Sequence, residues 1–210
     1  NAGLRSRSLA TANQLLRQEH LEQENRRLRA LLDMKERQPA EGRVAEVLYA
    51  ARDPFSRRVV IDKGIQAGIA AGQAVIDDLG VIGQVTRVFP LMAEVTLLTD
   101  KDQAIPVQVQ RNGLRAVAAG AGAGSIELRF LAANAEIQLG DILVTSGLDG
   151  LYLPGLPVAR VIHIDRDNSY AFARIRCEPI AGVERHGHVL VLGARVVPPQ
   201  PEEAATTADA

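Results

Sequence analysis

Residues 21–50 read LEQENRRLRALLDMKERQPAEGRVAEVLYA, and the period of the chain changes inside this stretch. Up to Gln38 the pattern is that of one polar, charged helix. From Arg43 onward apolar and polar residues alternate in short runs cut by glycine. The first pattern belongs to a helix and the second to strands. Pro39 stops the helix, and Lys35 and Arg37 lie in its last turn, where cations favour the dipole. Pro39-Ala-Glu-Gly42 is a hinge-like linker.

The helix carries a heptad seam in its second half. Leu21, Leu28 and Lys35 share one seam position; Leu4, Thr11, Gln18, Asn25 and Leu32 share the other. Upstream, Leu9 and Leu16 keep a seven-residue spacing on a different register. The seam therefore breaks near Gln18–His20, which predicts a stutter or a loosely paired N-terminal half. So narrow an apolar stripe cannot stabilise an isolated helix. A coiled-coil dimer is the simplest partner arrangement, with Leu21, Asn25, Leu28 and Leu32 as its contacts. A polar residue such as Asn25 costs stability at a seam position but fixes register and favours a parallel pair. A single helix packed on another protein, or a chance Leu-Asn spacing, is the alternative. A helix of about 35 residues would span roughly 50 Å.

Downstream, twelve strands are predicted: 43–50, 58–62, 73–76, 81–89, 94–98, 105–109, 115–119, 125–130, 141–145, 157–164, 171–177 and 188–192. Almost no helical periodicity separates them. Glycine recurs from Gly64 to Gly193 and marks the corners that small, closely curled barrels need. The expected architecture is mainly β, an N-terminal coiled-coil helix followed by two small β-barrels. The boundaries are 1–38 for the helix, 39–42 for the linker, 43–110 for the first barrel and 111–197 for the second. Later strands can complete the first barrel. Gly72–Val85 and Gly140–Val161 each read as turn, strand, loop, strand, a faint repeat that fits two related barrels. Residues 116–125, AVAAGAGAGS, are too apolar for a solvated linker and read as a flat hairpin turn on or near the surface. From Pro198 the chain is rich in Pro, Glu, Ala and Thr, a composition expected to be disordered.

Composition excludes several functions. The chain has 210 residues, 47% apolar content and a net charge of −1, so no global field points to nucleic acid. Aromatic content is 3% with no Trp, which leaves no stacking platform for single strands. Cys177 is the single cysteine, so neither an intrachain disulfide framework nor a multi-cysteine zinc site is possible. No stretch is long and apolar enough to cross a membrane. The chain begins at Asn1 without an initiator Met, so a fragment is expected, and whether an anchor precedes it stays open.

Two-barrel folds can host a serine hydrolase, and His163 with Ser146 are the residues to test. Ser146 lies in Thr-Ser-Gly, with neither a Gly-x-Ser-x-Gly elbow nor a Gly-Asp-Ser-Gly loop around it. His186-Gly-His188 beside Cys177 offers two metal ligands without a clustered third; a polar turn is the simpler reading. No catalytic residue, cofactor or metal is assigned. The candidate contact patch is the loop Arg52-Asp53-Pro-Phe55-Ser-Arg57, where Phe55 either meets a partner or folds back onto the barrel.

Taken in order, the motifs resemble the MreC family of bacterial rod shape-determining proteins. They are the run Leu21–Leu32, then Arg52-Asp-Pro-Phe-Ser56, Ile61-Asp-Lys-Gly64-Ile, Gly72-Gln-Ala-Val75 and Gly80-Val-Ile-Gly83-Gln-Val85. Leu98-Thr-Asp100, Ile105-Pro-Val107, Gly140-Asp-Ile-Leu-Val-Thr-Ser-Gly147-Leu-Asp-Gly150 and Pro157-Val158 follow. The similarity spans roughly residues 15–195. Asp149 departs from it, standing where a small residue is expected, as does the acidic, Pro-rich tail. The resemblance implies the periplasmic region of a bacterial inner-membrane protein, tethered by a transmembrane helix upstream. It implies a non-enzymatic, self-associating scaffold of cell elongation. Implied partners are MreD, the transpeptidase and glycosyltransferase of lateral wall synthesis and, indirectly, MreB.

Overall fold

Where a strand is buried on one face only, apolar and polar residues alternate; where both faces are covered, the alternation fails. The failure at Ala74–Ile76 and Val189–Leu192 shows where the parts of this molecule meet. The computed structural model describes residues 16–32, 42–51, 56–132, 134–165, 173–182 and 187–193. Residues 16–32 are helical. The strands are β1 (Gly42–Ala50), β2 (Arg58–Ile61), β3 (Ala74–Ile76), β4 (Val81–Val88), β5 (Ala93–Leu97) and β6 (Ala104–Val109). They continue with β7 (Arg115–Gly122), β8 (Ser125–Arg129), β9 (Ile142–Thr145), β10 (Pro157–Asp165), β11 (Arg174–Pro179) and β12 (His188–Leu192).

These strands close into two six-stranded antiparallel barrels. Around the first the order is β12-β1-β2-β5-β4-β3; around the second it is β6-β7-β8-β11-β10-β9. Adding six to each strand number of β1 to β5 converts one ring into the other, with β12 taking the place of β6. The chain therefore consists of two halves of equal topology, β1–β6 and β7–β12. Each half gives its last strand to the other's barrel. The faint repeat falls at equivalent places, β3–β4 and β9–β10.

This exchange corrects the expected division at residue 110. That point separates the two halves in sequence, but not the two barrels in space. β6, expected in the first barrel, pairs with β7 and β9 of the second. β12 completes the first by pairing with β1 and β3. The reason is the link after β5. Arg57 N–H donates to Asp100 Oδ2 at 2.7 Å, and Asp102 N–H donates to Asp100 Oδ1 at 3.0 Å. The buried aspartate turns the chain out of the first barrel and into the second.

The small-residue run has a reason that was not the expected one. Residues 115–122 are a strand, and the link after β5 crosses directly over it. A Cβ on Gly120 would stand 1.9 Å from the Asp100 carbonyl oxygen. Gly122 N–H donates to the Thr99 carbonyl at 3.2 Å. The hairpin turn at Ala123–Gly124 lies at the surface, as expected, with Ala123 exposed, and lines a cleft shared with Leu79 and Leu97 of the first barrel.

Val75, Val189 and Val191 point into the first barrel, with Val59, Ile61, Val85 and Val95. Their neighbours Ala74, Ile76, Leu190 and Leu192 point outward, yet are buried in the cluster that includes Val107, Leu143 and Ile175 of the second barrel. The outer face of β3 and β12 is the seat of the rest of the molecule.

In the second barrel, Arg111 forks onto Asp141: Nε to Oδ1 at 2.9 Å and Nη2 to Oδ2 at 3.1 Å. Gln138 N–H adds a bond to Oδ2 at 2.9 Å. This bidentate pair ties the turn after β6 to the turn before β9. The Arg111 guanidinium holds the Asp141 carboxyl below its ordinary 3.8. A lowered folded-state pKa adds stability above the ordinary value, and that stability is lost as pH falls through the folded value. Asp141→Asn is therefore less stable than the parent at neutral pH. The difference closes below pH 3.8, read by urea denaturation across a pH series.

Candidate interaction surface

Helical geometry divides residues 16–32 into two working faces. Glu24, Arg27 and Leu31 recur at spacings of three and four, and so share one stripe. Leu31 is 1% exposed and joins the cluster of Ala74, Ile76, Leu190 and Leu192. Arg27 Nε stands 3.9 Å from Asp78 Oδ1, and Glu24 Oε1 stands 3.9 Å from His188 Nδ1. Burying a leucine is worth about 1.5–3 kcal/mol, whereas a partly exposed ion pair contributes about 0–1 kcal/mol. Leu31 therefore dominates the attachment of the helix.

The predicted seam lies about 100° around the helix from that stripe. Leu21 is 56% exposed and Leu32 is 52% exposed. Asn25 is exposed as well, and Leu28 is half-buried. The structure thus brings all four seam residues onto one side and leaves three of them uncovered in the single chain.

Of the predicted contact loop, Arg52, Asp53 and Phe55 lie outside the described residues. Arg57 is described. Its carbonyl accepts the Leu97 N–H at 2.8 Å, so its backbone belongs to the barrel junction. Its side chain lines a cleft of about 400 Å³ between the barrels, with Leu79, Leu97, Ala123 and Ile180. One apolar patch was missed by the sequence reading. Ile65, Phe89, Leu91 and Met92 are exposed together at one end of the first barrel. Ile65 N–H donates to the Phe89 carbonyl at 2.9 Å, which joins the two turns that carry them. The signal was Phe89-Pro-Leu-Met92, an apolar run at a hairpin tip.

The hydrolase geometry is not assembled. Ser146 Oγ donates to the Pro106 carbonyl at 3.1 Å, an anchor between β9 and β6. His163 sits on β10 opposite Arg176, exposed. Thr145 N–H bonds the Leu156 carbonyl, which fixes the level of Ser146 on β10. The two side chains are then on the order of 20 Å apart along the strand. The metal suggestion fails similarly: His188 belongs to the first barrel and Cys177 to the interior of the second. His186 lies outside the described residues. Burial pushes the Cys177 thiol up to about 12, which makes it a packing residue rather than a nucleophile. Asp149 has a structural use: its Oδ1 accepts the N–H groups of Leu151 and Tyr152 at 3.1 and 3.2 Å.

Fold and surface together define a two-barrel β protein with a helix that presents an uncovered heptad stripe. Residues 47–193 match the family model described as "Rod shape-determining protein MreC, barrel core". The chain is 42% identical over 193 residues to the cell shape-determining protein MreC of Escherichia coli K12, covering 91% of this chain and 53% of that protein. The Haemophilus influenzae protein of the same name is also 42% identical, with 91% and 55% covered. A solved structure titled "MreC" has a TM-score of 0.77 at 43% identity, covering 82% of this chain and 98% of that one. A structure titled as a complex between Penicillin-Binding Protein (PBP2) and MreC from Helicobacter pylori has a TM-score of 0.58 at 18% identity, covering 72% and 96%, which shows a shared fold. The chain belongs to the MreC family. It spans about half the length of the curated relatives it matches.

Ser146→Ala removes the Oγ bond to the Pro106 carbonyl and the long one accepted from the Leu148 N–H, and is expected to cost about 1 kcal/mol, measured by denaturant unfolding. A serine-reactive phosphonate leaves the parent unlabelled by mass spectrometry; labelling at Ser146 would contradict the structural role.

Proposed function

We infer that this chain is the periplasmic part of a self-associating, non-enzymatic scaffold for cell elongation, and that its barrels bind a cell-wall synthase. The observation that carries the reading is the exposure of Leu21, Asn25 and Leu32 beside a seated Leu31. The helix holds its place on the body and still offers an apolar stripe for a second copy. With Asn25 and Leu32 at one seam position and Leu21 and Leu28 at the other, Arg17 and Glu24 flank the seam on one side. Glu22 and Arg29 flank it on the other. A parallel pair sets Arg17 against the partner's Glu22, and Glu24 against the partner's Arg29, both attractive. Asn25 meets its own copy and fixes the register.

The barrels supply surfaces rather than strand edges, because both are closed. The inter-barrel cleft at Leu79 and the apolar tip at Phe89 are the surfaces offered to a synthase. The PBP2 complex of the Helicobacter pylori relative supports a transpeptidase as that partner. The glycosyltransferase of elongation, MreD and, across the membrane, MreB complete the proposed set. Attachment to the inner membrane runs through a helix upstream of residue 1. The serine-hydrolase alternative loses its support with the separation of Ser146 and His163.

Light scattering over a concentration series tests the self-association. The parent is expected to give the mass of a dimer or larger species, and the Leu21→Lys, Leu32→Lys variant the mass of a monomer. Both substituted positions are exposed in the single chain, so the barrels remain folded. A parent that stays monomeric at every concentration would end this reading.

A further inference from the structure

We propose that the Asp77–Gly80 turn and the Leu31 seat join the helix and both barrels into one rigid unit, so that pairing at the helix seam sets the direction each protomer's barrels face. The inference rests on the self-association reading and adds to it what self-association controls.

The turn between β3 and β4 touches the described helix and both barrels. Asp77 Oδ1 accepts the N–H groups of Leu79 and Gly80, each at 2.8 Å, which fixes the shape of the turn. Its other oxygen accepts the Gly182 N–H at 3.3 Å, from the segment that carries the chain out of the second barrel toward β12. Asp78 faces Arg27 of the helix. Gly80 lies against the start of β10, so close that a Cβ would stand 2.3 Å from the Pro157 carbonyl oxygen. Leu79 lines the cleft between the barrels. One four-residue turn thus meets the helix, both barrels and the returning segment.

The helix adds a line of contacts rather than a point. Glu24, Arg27 and Leu31 cover about 10 Å of helix axis. A contact line of that length resists tilting as well as rotation about the axis. The seam lies on a different side of the same cylinder. A second helix arriving at Leu21, Asn25, Leu28 and Leu32 therefore meets a body whose barrels already point one way. In a two-fold pair the barrels of the two protomers fall on opposite flanks of the coil. A partner that binds the barrels of both copies then prefers the pair whose spacing fits it. By reciprocity it strengthens pairing by the same factor.

The test is an intrachain distance by pulsed electron resonance between spin labels at Gln23→Cys, on the helix, and Gln66→Cys, at the end of the first barrel. Both positions are exposed, and the native Cys177 is buried away from the label. Labelled chains are diluted with unlabelled chains so that one protomer alone is read. The parent is expected to give one narrow distance peak. Leu31→Ser loses it, while circular dichroism keeps the strand signal and light scattering keeps the parent's mass. A narrow peak that survives Leu31→Ser, or a broad distribution in the parent, overturns the joint. A narrow peak in a parent that stays monomeric overturns the pairing half, through the self-association reading and not through the joint.

Discussion

The reciprocal placement of β6 and β12 is the constraint on which the rest of the structure depends. Each barrel is closed by a strand that follows the last strand of the other barrel in sequence. Neither ring is complete without both halves of the chain, as in a domain-swapped dimer folded within one polypeptide. The two links that make the exchange are held by buried aspartates. Asp100 holds the first and Asp77 the second. Both linkers cross the junction, which is why glycine is required under Asp100 and small residues follow it through Gly124.

The exchange also creates the seat for the helix. Because β12 lies between β1 and β3, Leu190 and Leu192 stand beside Ile76 on one outer face. That face is apolar, and Leu31 and the second barrel cover it together. The proposed function follows from the remainder. What stays exposed is a heptad stripe, together with loop tips and a cleft. Closed barrels present shaped apolar and polar surface without the open edges that invite uncontrolled strand addition. This suits a protein whose partners must be selected by side-chain contacts.

Much of this was legible in the sequence, because period and punctuation are local. The change of period near Pro39, the glycine-marked corners and the alternating strands gave the architecture directly. The helix of residues 16–32 was legible for the same reason. The strand exchange was not. No local pattern in Ala104–Val109 says which of two similar rings it joins; that is decided by the Asp100 turn and by the fit of the link over Gly120. The run 116–125 showed its hairpin but hid the length of β7, which continues to Gly122, because close backbone crossing and turns call for the same small residues. The seat of Leu31 was hidden because one buried leucine beside a heptad seam has the same sequence signature as a seam neighbour. The apolar tip at Phe89–Met92 was readable as a run, but its meeting with Ile65 is a tertiary contact.

The most direct test of this account is native-state hydrogen exchange resolved to single strands. If each barrel depends on the other half's strand, β6 and β12 share the opening free energy of β3, β4, β9 and β10, and all of them exchange through the same global unfolding event. A Val191→Ala change inside the first barrel then lowers protection in the second barrel by the same amount. Protection that falls in the first barrel alone, with β7–β11 and β6 unaffected, would contradict it.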